Sequence, residues 1–500
     1  MEIGVWHIVG ILLVLALIAV VGVTSGRRVK DAADFTTGGG NAGPWLVGGA
    51  IMGSLIGGQA TVGTVQMAFV FGISAWWFTL GAGIGSVVLA IGYVIPLRRS
   101  GNMTLLQIIG EEYGGRAECV ASILCSIGIF ISVISNILAF AALLSSILPV
   151  SVWQAAAISV AVMAVYVIFG GVWGAGMGGI VKLVLLYVAS VIGFLLVFVV
   201  SGGLGGLLET LRSTLRGTAL GGLYGFRSDA AVDSVYLSPV ARGAMKDIGS
   251  GLSLILGVLS TQTYAQAIWS AKSNSAARKG ALLSGFLVPP IGIACIFMGF
   301  YMRGHYITTE EISALIEAGK AIPQGLTEIS SSAQAFPVFI MEHMPPLLGG
   351  IILGTLLLTV VGGGAGLSLG VATILVNDIF CKLKPNAGSG TRGLYLTRVT
   401  LIFVLIAAAA VASLVPGAVI NDFGFLSMGF RGAAVLIPLT FALFLPGHVD
   451  SHWAMAAIIL GPVPVLIGNL FSLSFDPLFL GVAISLGLCL VGSRVKKTLC

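Results

Sequence analysis

Charge is what this 500-residue chain has least of. Only 9% of its residues are Asp, Glu, Lys or Arg, against about a quarter in soluble domains. Together with 57% hydrophobic content and a mean hydropathy of +1.06, that deficit excludes a water-soluble enzyme. Acids are scarcer than bases, 19 against 25, so the net charge of +6 reflects missing carboxylates and not a basic face, which excludes a nucleic-acid binder or a disordered chain. The six cysteines (Cys119, Cys125, Cys295, Cys381, Cys489, Cys500) form no CxxC pair and have no His at ligand spacing, so no metal or redox site is expected. No secretory signal is expected: the N-terminus lacks a positive n-region and a small-residue cleavage site, and its apolar run over 5–23 is long enough to span a bilayer. No output domain is expected beyond the last span. Glycine is abundant, at 71 residues, about twice the usual share. In an apolar chain this points to helices packed backbone to backbone.

These features describe an all-α integral membrane protein. With about 20 apolar residues per crossing, thirteen spans are expected, near 3–23, 45–71, 76–95, 118–148, 152–169, 176–200, 249–270, 280–302, 348–376, 394–415, 422–445, 453–471 and 476–493. Sixteen basic residues then fall in linkers on one face, from Arg27, Arg28 and Lys30 to Arg494, Lys496 and Lys497, and seven on the other. The positive-inside rule places the N-terminus outside and the C-terminus in the cytoplasm, in a multi-pass plasma-membrane protein. Two long exterior loops, 201–248 and 303–347, are expected to cap the bundle with short amphipathic stretches.

Two spans carry polar interruptions. In the second, Gly53, Ser54, Gly57, Gly58, Gln59 and Thr61 cluster near mid-depth; in the seventh, Ser260, Thr261, Gln262, Thr263, Tyr264 and Gln266 do so. Close packing through small residues is one reading. The other is a pair of unwound helices lining a cavity, because broken backbone survives in a membrane only where protein or water satisfies it. Ser132, Ser135 and Asn136 share a face of the fourth span and suit either a cavity wall or interhelical hydrogen bonding.

The chain resembles the sodium:solute symporter family over most of its length. The resemblance rests on Asp34-Phe35-Thr36-Thr37-Gly38-Gly39 after the first span and on the glycines from Gly63 to Gly72. It rests further on the run from Gln262-Thr263-Tyr264-Ala265-Gln266 to Lys272, and on Gly350-Ile351-Ile352-Leu353 through Asn377-Asp378-Ile379-Phe380. The resemblance implies thirteen helices with a five-plus-five inverted-repeat, leucine-transporter-like core over 43–445 (spans two to eleven). It also implies an extra N-terminal helix over 1–24, two C-terminal helices over 452–493, and a substrate site lined by the two broken spans. Ser54, Gln59, Thr61, Ser135, Asn136, Thr261, Gln262 and Tyr264 are the candidate substrate contacts.

In that family, as the resemblance implies, sodium is held by carbonyls of the broken second span, by paired hydroxyls on the ninth, and often by an aspartate in the sixth. Aligned without gaps, Gly362 and Gly363 stand at the hydroxyl positions, Gly178 and Gly179 at the Thr-Asp pair, and Lys182 at a glutamine one turn later. The former sodium site is thus expected at Gly53, Ile56, Gly178, Gly179, Lys182, Thr359, Gly362 and Gly363, with the Lys182 ammonium on carbonyls near Gly53, Ile56 and Thr359. Snorkelling of Lys182 to the cytoplasmic interface is the alternative. Arg431, the other basic residue in a span, suits a helix end or the lipid interface, or else a gate or an anionic solute.

The expectation is therefore a secondary transporter, not an enzyme, for a small neutral or anionic organic solute. It has no cofactor, no nucleic-acid partner and no obligate protein partner beyond the lipid bilayer. Its coupling ion is a proton, or transport is sodium-independent. A conventional symporter with a displaced sodium site and a transport-derived receptor are the alternatives.

Overall fold

The computed structural model describes residues 3–26, 40–102, 104–380, 390–415, 417–468, 471 and 473–499. The Asp34–Gly39 motif, Arg27, Arg28, Lys30, Lys382, Lys384, Cys381 and Cys500 lie outside the described residues. Among those described, eight helices are long and apolar enough to cross a membrane, and four shorter apolar helices accompany them. The protein is multi-pass.

Helix α1 (Val5–Gly26) packs on the start of a later helix through glycine, with the Cβ position of Gly350 only 2.2 Å from the His7 carbonyl oxygen. Such close approach is how membrane helices associate without a hydrophobic drive. Helix α2 (Pro44–Leu55) starts with proline in its first turn, where the missing N–H costs nothing. It ends before a break at Ile56, Gly57 and Gly58. A π turn (Gln59–Gly63) and α3 (Thr64–Phe71) complete that crossing. Gly72, at φ +67°, turns the chain into α4 (Trp76–Val88) and α5 (Val94–Ser100).

Helix α6 (Leu105–Tyr113) is short, and α7 (Gly115–Ile147) runs through the core. Helical bounds for α8 are continuous, Val152–Val200, where the sequence suggested two spans and a loop. Residues 166 and 178 nevertheless lie closer than a straight helix allows: Tyr166 Oη is 2.6 Å from the Cβ position of Gly178, whereas twelve residues of straight helix separate their ends by about 18 Å. The second half turns Val188, Val191, Leu195 and Val199 outward, as a lipid-facing surface requires.

The 201–248 loop holds α9 (Gly203–Leu215), α10 (Ala219–Leu223) and α11 (Asp229–Tyr236). The second broken crossing follows as α12 (Ala244–Leu259) and α13 (Gln262–Trp269), then α14 (Asn274–Leu287) and α15 (Pro289–His305). In the 303–347 loop β1 (Tyr306–Thr308) pairs in parallel with β2 (Thr327–Ile329) around α16 (Thr309–Glu317), and α17 (Ala335–His343) follows. The strands had no signal in the sequence. Arg303 pairs with Glu311 at 2.7 Å, and Tyr224 donates to the same carboxylate at 2.6 Å, so both loops are tied to the end of α15. Burial alone pushes the Glu311 carboxyl up, but Arg303, Tyr224 and the Thr308 amide outweigh it and hold it below the usual value.

Helix α18 (Pro346–Ile374) and its terminal π turn (Leu375–Phe380) cross the centre. Helix α19 (Gly390–Leu414) precedes α20 (Ile420–Arg431), a π turn (Gly432–Leu436) and α21 (Ile437–Phe444). Helices α22 (Ser451–Leu460), α23 (Pro462–Gly468) and α24 (Leu478–Leu499) close the chain. Glu118 and Asp378, which the sequence left near span ends, are both buried. Asp378 accepts from Thr104 Oγ1 at 3.0 Å, Ser122 Oγ at 3.3 Å and Gln107 Nε2 at 3.4 Å.

Candidate transport site at the two helix breaks

The first break is shaped by its two glycines. A Cβ on Gly57 would stand 2.4 Å from Asn136 Oδ1, and one on Gly58 would stand 2.2 Å from the Ala139 Cβ. Only backbone fits between the break and α7. Ile56, at φ −85° and ψ 85°, leaves the helical region and turns its carbonyl away from the helix ladder. Asn136 then takes the role of a cap: its Oδ1 accepts from the Gly58 amide at 3.0 Å, while its Nδ2 donates to the Ser132 carbonyl at 2.9 Å. At the second break Thr261 adopts an extended backbone. Its Oγ1 donates back to the Gly257 carbonyl at 2.5 Å.

Lys182 fills the space beside the first break. Its Nζ donates to the Gly53 carbonyl at 2.5 Å, to Ile56 at 2.7 Å and to Thr359 at 3.4 Å. The residue is 2% exposed, so its ammonium turns inward and does not snorkel. Carbonyls at an unwound helix end are cation ligands because their lone pairs are not spent on the ladder. Gly362 borders the same space, with its Cβ position 3.5 Å from Lys182 Nζ and 3.6 Å from Tyr166 Oη. Tyr166 had no signal in the sequence, because the approach of its phenol to Gly178 and Gly362 is a tertiary event.

The glycines play different parts. Gly179 is a contact between helices: its Cβ position is 2.0 Å from the Gly49 carbonyl oxygen, which leaves no space for an aspartate. Gly178 faces the Tyr166 phenol, and the Cβ position of Gly363 is 2.8 Å from the Gly57 Cα.

The eight candidate substrate contacts divide. Ser54 Oγ and Gln59 Nε2 are buried without a hydrogen-bond partner. Tyr264 is buried on α13. The other five already have protein partners. Thr61 Oγ1 donates to Gly57 at 3.1 Å, Ser135 Oγ to Ile420 at 2.8 Å, and Gln262 Oε1 accepts from the Leu105 amide at 2.9 Å. Asn136 and Thr261 are engaged as described. Short polar side chains in a dry interior take the nearest backbone group.

Two broken crossings, one before and one after the buried α7 and the half-exposed α8, define an all-α integral membrane protein of the leucine-transporter-like class. The chain belongs to the sodium:solute symporter family, whose model matches residues 35–461. The family comprises transporters and not enzymes. The symporter YwcA of Bacillus subtilis (strain 168) is 22% identical over 379 residues, covering 74% of this chain and 68% of its own length. Sodium/glucose cotransporter 1 of Sus scrofa is 24% identical over 355 residues, 69% of this chain and 53% of the relative. The chain thus spans about half to two thirds of these relatives. Among solved structures, a substrate-bound, outward-open Na⁺-coupled sialic acid symporter superposes with a TM-score of 0.76 at 16% identity, covering 99% of this chain and 98% of that one. A nucleobase-cation-symport-1 family transporter with bromovinylhydantoin bound gives 0.52 at 12% identity, covering 93% and 95%. At such identities the likeness concerns the fold.

Proposed function

We propose that this chain is a secondary transporter that moves a small neutral or anionic organic solute by alternating access, with spans two to eleven as the moving core. The Lys182 ammonium takes the place of the coupling sodium. The observation that carries the reading is the donation from Lys182 Nζ to Gly53 and Ile56 at 2.5 and 2.7 Å, next to glycines at 362 and 363 that offer no hydroxyl. A tethered cation on the unwound carbonyls does electrostatically what a bound ion does, and a lysine can also bind and release a proton. Transport is then driven by protons, or proceeds as sodium-independent facilitation or exchange. The N-terminus lies outside and the C-terminal end inside.

The test is uptake by the purified chain in proteoliposomes, using a solute first selected by its effect on the unfolding midpoint. Uptake should persist when choline replaces Na⁺. Lys182→Gln should abolish any dependence on a proton gradient without creating one on sodium. Uptake that rises steeply with Na⁺ at fixed pH and voltage overturns the proposal. That result is the expectation of a second reading, a symporter whose sodium sits elsewhere, which the oxygen cluster of Asp378, Thr104 and Ser122 favours.

A further inference from the structure

Arg431, the last residue of α20, is fully buried. Its Nε donates to the Ser427 carbonyl one turn back at 3.2 Å, and its Nη2 lies 2.8 Å from Met428 Sδ. Its Nη1 is buried without a partner. No Asp or Glu among the described residues forms an ion pair with it. A guanidinium stays charged in any protein setting, and a charged group inside a membrane bundle is retained for function by default.

The surroundings identify what it faces. The stem lies against Gly128 of α7, whose Cβ position is 2.4 Å from Arg431 Cγ. Cys125, one turn before Gly128, donates to the Ser260 carbonyl at the end of α12, where the second broken crossing opens. The backbone passes into a π turn at Gly432 directly after Arg431, a distortion that frequently marks functional positions in helices. Two further buried donors are free near the breaks, Gln59 Nε2 and Gln266 Nε2. Gln59 stands 3.1 Å from the Cβ position of Gly424, seven residues before Arg431 on α20, so both point to one face of that helix. The region offers donors and a fixed positive charge that no described carboxylate meets in an ion pair.

We infer that Arg431 binds the anionic group of the transported solute, an organic carboxylate, at the α12/α13 break. This rests on the transport reading above and narrows its substrate class from neutral or anionic to anionic. Nη1 presents the free donors, and the planar guanidinium suits a carboxylate.

The experiment measures the unfolding midpoint of the full purified chain with straight-chain monocarboxylates from acetate to octanoate and with the matching primary amides. At least one carboxylate should raise the midpoint saturably while its amide does not. Arg431→Gln should weaken that response about ten- to a hundredfold in half-saturating concentration, the scale of a hydrogen bond to a charged group. Arg431→Lys should keep a weakened preference for the acid. Equal responses to acid and amide, or no response to any carboxylate, overturn the inference and need only the wild-type chain, so a misfolded variant does not obscure the result. A carboxylate response unchanged in Arg431→Gln also overturns it. Because the assay reads binding alone, carboxylate binding without uptake would fault the transport reading and leave only the carboxylate site at Arg431 standing. Uptake of a neutral solute with no carboxylate response would do the reverse.

Discussion

A cation seated at the Cβ position of Gly362 would lie 3.5 Å from Lys182 Nζ. At an effective dielectric of about 20, two unit charges at that distance repel by about 5 kcal/mol. That is roughly three decades in dissociation constant, enough to remove sodium binding at ordinary salt concentrations. The purified wild-type chain should therefore unfold at the same temperature in NaCl and in choline chloride of equal ionic strength. Lys182→Ala relieves the repulsion but leaves the Gly53 and Ile56 carbonyls without their donor, at a cost of about 1–3 kcal/mol in stability. Carbonyl oxygens alone do not replace the missing hydroxyls, so this variant should also ignore Na⁺. Adding Gly362→Ser is sterically free, since the nearest atom to the new Cβ is the ammonium itself at 3.5 Å. The double variant should be the first to gain a Na⁺-specific rise in midpoint. A Na⁺-specific shift in the wild type, or in Lys182→Ala alone, would refute the reasoning.

Gly179→Ala places a methyl 2.0 Å from the Gly49 carbonyl oxygen and should destabilise by about 1–3 kcal/mol through overpacking, whereas Gly362→Ala should change the unfolding midpoint little; equal effects would contradict the packing described. Asn136→Leu strands the Gly58 amide and should cost about 1–3 kcal/mol, with increased labelling of a cysteine at Thr61 as the sign that the break has loosened. The Glu311 carboxyl is held below its usual value, so it contributes stability that is complete above the unfolded-state pKa and lost as pH falls through the lower folded one. Limited proteolysis of 306–345 should accelerate only on acidification below the ordinary glutamate range, and Glu311→Gln should be cleaved readily without that pH dependence.

Composition and order of residues were enough to determine the membrane class, because a chain with 9% charged residues cannot cover itself with a hydrated surface. The breaks were legible for a related reason: glycine and polar runs at Gly57–Gly58 and Ser260–Thr261 cost stability in a lipid-facing helix, so their presence signals another environment. What the sequence left open was decided by approach between distant segments. Asn136 and Ser135 read equally well as cavity wall or as glue until α7 met Gly58 and Ile420, 78 and 285 residues away, and took up their hydrogen bonds. Tyr166 and Lys182 meet at the same glycine, Gly362, only in the packed structure, and Gly179 is fixed as a helix contact only by the position of Gly49. Local pattern records where a helix will break or be buried, since those depend on the residue and its neighbours in the chain. Which donor meets which carbonyl depends on side chains brought together by packing, and that information exists only in the folded structure.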